Sequence, residues 1–252
     1  MRNAFAFISP HWPAPSNVRT LVTSRERGGS AQPYHYFNMA EHVGDEANLV
    51  AQARADLQSF VGAQHPLLWL NQTHSTLVAD QFTPNIEADA SVAFSDDYAC
   101  VVMTADCLPV FFCSTDGDRV AVAHAGWRGL ADGILENTLA RLQLPPEKVM
   151  VWLGPAISSK HFEVGEEVRA RFIDQNSLAV NCFSPSPFRL RHYMADLYQL
   201  ARLALQKQGV KQIFGGGFCT YADHTRFYSY RRDGVTGRMA SVIWLSNSDP
   251  SE

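Results

Sequence analysis

The sequence predicts a single α+β domain, spanning residues 1–252, in which mixed β-sheets are flanked by helices. First, 252 residues with 46% hydrophobic and 18% charged side chains can bury one large core. Second, the continuous apolar runs 100–103, 110–113 and 120–123 are typical of strands buried on both faces. Third, strands and helices do not alternate strictly, and no glycine-rich fingerprint follows the first strand, which disfavours a doubly wound nucleotide fold.

Element boundaries follow from apolar periodicity, capping residues, glycine and proline. The predicted strands are 18–24, 67–70, 76–79, 89–94, 100–103, 110–113, 120–123, 149–153 and 213–214. The predicted helices are 46–60, 130–142, 166–175 and 197–208. Asp45 and Asp196 are suited to cap the first and last of these helices. Residues 176–191 show little pattern and predict an irregular, lid-like excursion, and 227–245 predict a hairpin that completes a sheet.

Charge and composition disfavour several classes of protein. The formal net charge is −4 without a basic run, so neither nucleic acid nor an anionic membrane is expected as a partner. No apolar stretch approaches the length of a membrane span, and residues 1–15 do not resemble a signal peptide, which predicts a cytoplasmic protein. Five cysteines without a C-x-x-C pair disfavour both a disulfide framework and a cysteine-rich zinc finger.

Three residues suited to hold a metal ion lie at predicted strand ends. His74 is on a polar turn between two strands, and Cys107 and His124 each follow a short apolar run. One thiolate and two imidazoles leave a fourth tetrahedral position open, which is typical of a catalytic zinc site, and copper also accepts these ligands. The plainer alternative is a buried free cysteine with two ordinary histidines.

Neighbouring residues admit two interpretations each. Asp106 has a carboxylate that can orient a ligand or handle protons, or that can simply cap a helix or lie on the surface. Trp127 can stack on a flat ring and Arg128 can hold an anion bidentately, or both can serve the core and a salt bridge. The turn at 25–29 combines arginines with glycines, which suits either an anionic ligand or a solvated turn.

The motifs T-A-D-C-L-P-V, A-H-A-G-W-R-G, W-L-G-P-A-I and F-E-V-G resemble the YfiH-like family of bacterial proteins, first called the polyphenol oxidase or laccase-domain family. N-M-A-E-H-V-G-D, C-T-Y, S-Y-R-R-D and T-G-R-M-A-S extend the resemblance from about residue 19 to 245. The family's metal ligands fall on His74, Cys107 and His124. This chain departs from the family at 72–75, where Q-T-H-S replaces Q-V-H-G, and in the loop after Arg25, where the glycines are shifted by one position.

The resemblance implies an α/β sandwich and a zinc-dependent purine nucleoside phosphorylase that cleaves adenosine, inosine and methylthioadenosine with phosphate. It also implies adenosine deaminase activity, for which a carboxylate near the metal is needed. The partners expected from it are purine nucleosides and phosphate, and the chain is expected to be a monomer or a homodimer. The candidate catalytic residues are Cys107, His124 and Asp106, with Glu163 as a second carboxylate. The candidate substrate-binding residues are Arg25, Asn38, Arg128 and Arg231.

Three other functions compete with the phosphorylase. A copper polyphenol oxidase of the multicopper type needs closely spaced histidine pairs, whereas this chain has nine histidines and no H-x-H pair. Copper can still replace zinc in vitro. A cysteine hydrolase that edits cell-wall peptidoglycan precursors would use Cys107 as nucleophile and His124 as base. A ligand-binding protein without activity fits an open metal site least well.

Overall fold

Strands and helices occupy most of the part of the chain that the structure, a computed structural model, describes, which is residues 7–83 and 87–246. The ends of the proposed 1–252 domain and residues 84–86 lie outside it. The strands are β1 Phe7–Ile8, β2 Val18–Thr23, β3 Leu67–Leu68, β4 Val78–Ala79, β5 Ala90–Ala93, β6 Ala99–Thr104, β7 Leu108–Ser114, β8 Val120–Ala125, β9 Val149–Leu153, β10 Glu163–Gly165, β11 Phe183–Pro185, β12 His192–Ala195, β13 Gln212–Gly215 and β14 Met239–Leu245. The α-helices are α1 Ala47–Val61, α2 Trp127–Asp132, α3 Ile134–Leu142, α4 Glu166–Gln175, α5 Leu197–Lys207 and α6 Tyr230–Asp233. Short 3-10 helices occupy Glu41–Val43, Pro146–Lys148 and Ser177–Cys182.

Two large mixed sheets pack face to face. One has the order β1-β2-β14-β6-β3 and the other the order β13-β9-β7-β8-β5-β4. In β7, Phe111 and Cys113 face the five-stranded sheet, whereas Val110 and Phe112 pack with the helices on the opposite side. Because side chains alternate across a strand, one continuous apolar run contributes to two cores. The predicted burial of 100–103, 110–113 and 120–123 on both faces is confirmed.

Helices cover the outer faces of both sheets. Ala53 and Leu57 of α1 pack against Val101 of β6 and Val242 of β14. Helices α3 and α5 cover the six-stranded sheet on its other side. The layers therefore run helix, sheet, sheet, helix, and the predicted single α+β domain with mixed sheets flanked by helices is confirmed.

The predicted lid at 176–191 is wrong in part, because this segment carries regular structure. It contains the 3-10 helix Ser177–Cys182 and strand β11, which completes a third sheet of order β10-β12-β11. Ala179 and Cys182 are buried in the core and anchor the helix there. Such short elements leave too few apolar residues to show a period in the sequence.

Two further element predictions are corrected. The helix predicted at 130–142 is two helices, because Gly133 adopts a φ of 98° and ends α2. The apolar spacing continues across the break, because α2 and α3 bury their apolar residues in the same core. Residues 227–245 form helix α6 and the single strand β14 instead of a hairpin. Strand β14 pairs with β2 and β6, two strands that are distant in sequence, so no local pattern could reveal its partners.

All five cysteines are free thiols. Among the described residues, no helix combines the length and the apolar character that crossing a bilayer requires.

Candidate metal centre and active site

The three predicted metal ligands meet where the chain crosses from one large sheet to the other. Cys107 lies in the short connection between β6, of the five-stranded sheet, and β7, of the six-stranded sheet. His124 is on the neighbouring strand β8, directly opposite Pro109 of β7. His74 is in the loop between β3 and β4, at a φ of 61°. One ligand atom from each of these three residues lies within 4.8 Å of the others.

A buried carboxylate that no sequence motif marks, Asp89, holds two of these candidate ligands in place. Its Oδ1 lies 2.7 Å from Nδ1 of His124, which leaves the other ring nitrogen of His124 for the site. The same carboxylate accepts hydrogen bonds from the backbone N–H groups of Thr73, His74 and Ser75 and from the Ser75 hydroxyl. These five contacts fix the His74 loop against β8.

The position of Asp89 beside His124 follows from the pairing of two strands, which the sequence alone does not reveal. Asp89 directly precedes β5, and β5 pairs with β8 in a register that places Ala90 opposite Ala123. Asp89 therefore lies beside His124, and the backbone N–H of His124 donates to the Asp89 carbonyl at 2.7 Å. Burial alone would raise the pKa of the Asp89 carboxyl, but the hydrogen bond and charge of His124 and the hydrogen bonds from Ser75 lower it.

Electrostatics distinguish Cys107 from the cysteines of the core. Burial alone would raise the pKa of Cys107, but the charge of His124 and the hydrogen bonds of His124 and His74 lower it to about 6. Burial likewise opposes protonation of His124, and the Cys107 thiolate and Asp89 raise its pKa to about 9. In contrast, burial raises the pKa of Cys100 to about 12. The lowered pKa of Cys107 favours its thiolate, the form that binds a metal ion.

The separation of two of the three candidate ligands is compatible with a tetrahedral zinc ion. A zinc with bonds of about 2.3 Å to sulfur and about 2.0–2.1 Å to nitrogen separates these ligand atoms by about 3.6 Å. The Sγ of Cys107 lies 3.8 Å from Nε2 of His74. Gly126 borders the same space, and a Cβ at this position would come within 2.9 Å of the Cys107 sulfur and 2.8 Å of the His74 ring. Glycine thus keeps the site open.

A cavity of about 530 Å³ lies over the three ligands. This volume is in the range of small-molecule sites. Its walls include the aromatic rings of Trp127, Phe162 and Tyr230. Basic side chains also line it, namely His42, Arg128, Arg231 and Arg238. The cavity therefore combines rings that can stack on a planar base with positive charge that suits an anion.

Two of the predicted substrate-binding residues line this cavity, and two do not. Arg128 stacks on Trp127, with the guanidinium 4.5 Å from the ring centroid, and Arg231 donates to the carbonyl of Glu163 at 3.0 Å. Arg25 lies outside the lining and donates to the carbonyls of His35 and His224.

Asn38 is fully buried behind the cavity wall. Its side-chain oxygen accepts from the backbone N–H groups of Ala40 and Arg238, and its amide donates to Asp45 and to the Ala40 carbonyl. With every side-chain hydrogen-bonding group engaged, Asn38 organises the wall instead of facing a ligand. Arg238, which the sequence analysis did not single out, lines the cavity in its place.

The two carboxylates considered for proton transfer are also engaged elsewhere. The carboxylate of Asp106 accepts from the Thr220 hydroxyl at 2.6 Å and from the backbone N–H of Arg231 at 2.7 Å. Glu163 accepts from the Ser186 hydroxyl and lies 3.7 Å from the Arg189 guanidinium. Neither residue is part of the cavity lining.

Comparisons with known proteins cover nearly the whole chain. Residues 19–246 match the family described as multi-copper polyphenol oxidoreductase laccase. The chain is 46% identical over 243 residues to a purine nucleoside phosphorylase of Pseudomonas aeruginosa, covering 96% of this chain and 99% of that protein. It is 44% identical over 245 residues to the purine nucleoside phosphorylase YfiH of Escherichia coli K12, covering 94% and 98%.

A crystal structure of a Neisseria meningitidis protein superimposes with a TM-score of 0.91 at 47% identity, covering 96% of this chain and 99% of that one. The sequence matches and the structural match thus cover nearly the same part of the chain. The chain belongs to the YfiH-like, or laccase-domain, family.

Proposed function

We propose that this protein is a zinc-dependent purine nucleoside phosphorylase that cleaves adenosine, inosine and methylthioadenosine with phosphate. The observation that carries the proposal is the cavity, which places an open set of metal ligands next to aromatic and cationic walls. The relatives named purine nucleoside phosphorylases, at 44% and 46% identity over nearly the full chain, support the same conclusion.

The reaction needs three kinds of group, and the cavity contains each of them. A phosphate oxygen forms a bond to the anomeric carbon of the ribose, while the bond from that carbon to the purine nitrogen breaks and its electron pair leaves with the base. Guanidinium groups can hold the phosphate, and aromatic rings can stack on the purine. His74, Cys107 and His124 would hold the zinc ion, which supplies Lewis acidity when bound.

The proposal also includes a second activity, the deamination of adenosine. It would use the same cavity, and it is supported by the open side of the ligand set. Asp106 and Glu163 are engaged with Thr220, Arg231 and Ser186, so neither carboxylate faces the cavity to transfer protons in this structure. Conversion of adenosine to inosine therefore needs its own measurement.

Zinc is the metal we propose, and copper remains a substitute in vitro. Within residues 7–83 and 87–246, the group of His74, Cys107 and His124 is the one set of at least three such side chains close enough to share an ion. A multicopper oxidase mechanism needs several copper sites, so one site of this kind supports zinc hydrolytic or transfer chemistry instead. A cysteine hydrolase would use the same Cys107 thiolate without a metal ion.

Phosphorolysis gives products that test the proposal directly. We expect the zinc-loaded protein to release hypoxanthine and ribose 1-phosphate from inosine, at a rate that depends on phosphate, because phosphate is the attacking group. Chromatography of the products at several phosphate concentrations measures this. Release of base that continues unchanged without phosphate would contradict the proposal, as would an absence of turnover with all three nucleosides.

A further inference from the structure

Two arginines on one wall of the cavity lack carboxylate partners. Arg231 is in α6, and Arg238 directly precedes β14. Tyr230 connects them, because it is adjacent to Arg231 in sequence and its ring centroid lies 5.9 Å from the Arg238 guanidinium. One terminal nitrogen of each arginine donates to backbone carbonyls, of Glu163 and His161 for Arg231 and of Thr236 and Gly237 for Arg238.

The remaining guanidinium nitrogens of both arginines make no hydrogen bond within the described part of the chain. Neither arginine forms an ion pair there, although surface arginines of the same chain do, as Arg169 does with Glu166. Arg231 is exposed at the cavity, whereas Arg238 is partly buried and feels the negative charges of Cys107 and Asp106 without pairing with either. An anion with several oxygens can accept hydrogen bonds from the free nitrogens of both guanidinium groups together. Arginine is well suited to this because its planar fork donates two parallel hydrogen bonds.

Each of these arginines is held from behind by a buried acceptor. The Asp106 carboxylate accepts from the backbone N–H of Arg231 at 2.7 Å, and the Asn38 side-chain oxygen accepts from the backbone N–H of Arg238 at 2.9 Å. Asp106 and Asn38 are both buried. Asp106 keeps this contact at a φ of 97°, a backbone conformation that residues other than glycine rarely adopt. The side chains of Asp106 and Asn38 thus fix the backbone of the two cavity arginines.

We propose that Arg231 and Arg238 together form the subsite for inorganic phosphate, and that Asp106 and Asn38 are positioning residues for them. This assignment rests on the proposed phosphorylase function. In the reaction, one phosphate oxygen bonds to the anomeric carbon as the purine departs with the electron pair of the broken bond. The two guanidinium groups bind the other phosphate oxygens and fix the direction of attack.

Binding of inorganic phosphate to the zinc-loaded protein, without nucleoside, tests the arginines. Isothermal titration calorimetry should show a Kd that is about 10–100-fold weaker for Arg231→Met and for Arg238→Met, because each change removes charge-assisted hydrogen bonds. Arg169→Met is the matched control, since Arg169 is outside the cavity, and it should leave the Kd unchanged. Zinc content should equal that of the unmodified protein in all three variants.

The positioning role of Asp106 is tested by two substitutions. Asp106→Asn keeps an oxygen that can accept from the Arg231 backbone, so phosphate affinity and turnover should stay near those of the unmodified protein. Asp106→Gly removes that acceptor and tolerates the positive φ, so KM for phosphate should rise about tenfold with a smaller change in kcat. Asn38→Ala should do the same through Arg238. Loss of kcat in Asp106→Asn at saturating phosphate would overturn the positioning role, because it would show proton transfer by the carboxylate.

The outcomes distinguish this assignment from the proposed function. Unchanged phosphate affinity in both arginine variants, with turnover still dependent on phosphate, would overturn the subsite assignment and leave the phosphorylase standing. An unmodified protein that neither binds phosphate nor needs it for turnover would overturn both. Weaker phosphate binding in both arginine variants, with full zinc content and an unaffected Arg169→Met control, supports the subsite.

Discussion

Replacement of Cys107 with alanine is expected to lower zinc content well below one equivalent and to reduce phosphorolysis by more than 10²-fold. The change leaves only His74 and His124 as protein ligands. Changes in groups that merely support a metal ligand cost about 10–100-fold in affinity or activity, and the loss of a ligand costs more. Metal analysis of the purified variant, together with its rate on inosine and phosphate, measures both effects.

Two further variants show whether Cys107 binds metal or attacks the substrate. Cys107→Asp retains an anionic zinc ligand but is a poor substitute for an attacking thiolate, so we expect it to keep some zinc and some turnover. Cys182→Ala is the control, because Cys182 is a buried thiol in the core and outside the cavity lining. Adenosine is the substrate for this test. If the Cys107→Asp protein holds a full equivalent of zinc but produces neither inosine nor free base from adenosine, the sulfur itself reacts.

Replacement of Asp89 with alanine is expected to weaken zinc binding by about 10–100-fold and to lower the free energy of unfolding by about 3–5 kcal/mol. The carboxylate is fully buried, orients His124 and accepts three backbone N–H groups of the His74 loop. Its removal leaves these groups unpaired and frees the loop that carries one ligand. Zinc competition titration and urea unfolding measure the two effects.

Asp118→Ala is the matched control for Asp89. Asp118 lies in the turn between β7 and β8, accepts from the Ser114 hydroxyl and is largely exposed. Its loss should reduce stability by no more than about 1 kcal/mol and leave zinc affinity unchanged. Equal zinc affinity in Asp89→Ala and the unmodified protein would show that the carboxylate has no part in orienting the ligands.

Local sequence patterns are sufficient to single out the three candidate metal ligands, which the fold brings together. Each of His74, Cys107 and His124 lies at or near the end of a short apolar run, and the motifs around two of them are distinctive. The strands that bring them together have continuous apolar runs, which identify them as buried. The grouping of these three side chains is therefore the part of the candidate site that the sequence predicts best.

Residues that act through long-range pairing are harder to identify. Asp89 contacts His124 because β5 pairs with β8, and Arg238 joins the cavity because β14 inserts between two strands that precede it by more than a hundred residues. Asn38 and Asp106 belong to distinctive motifs, but their contacts are with the backbone of Arg238 and Arg231. A motif thus indicates that a residue belongs to the site without showing which of its neighbours it contacts.

Metal content and its link to phosphorolysis are the most direct test of the proposed metal centre. The protein, purified without added metal, should contain about one equivalent of zinc, and chelation should abolish phosphate-dependent cleavage of inosine. Readdition of zinc should restore the activity, because Cys107 and the two histidines remain in place. A protein that contains no metal, reacts at Cys107 with an alkylating agent and keeps its full activity in the presence of a chelator would contradict the metal centre.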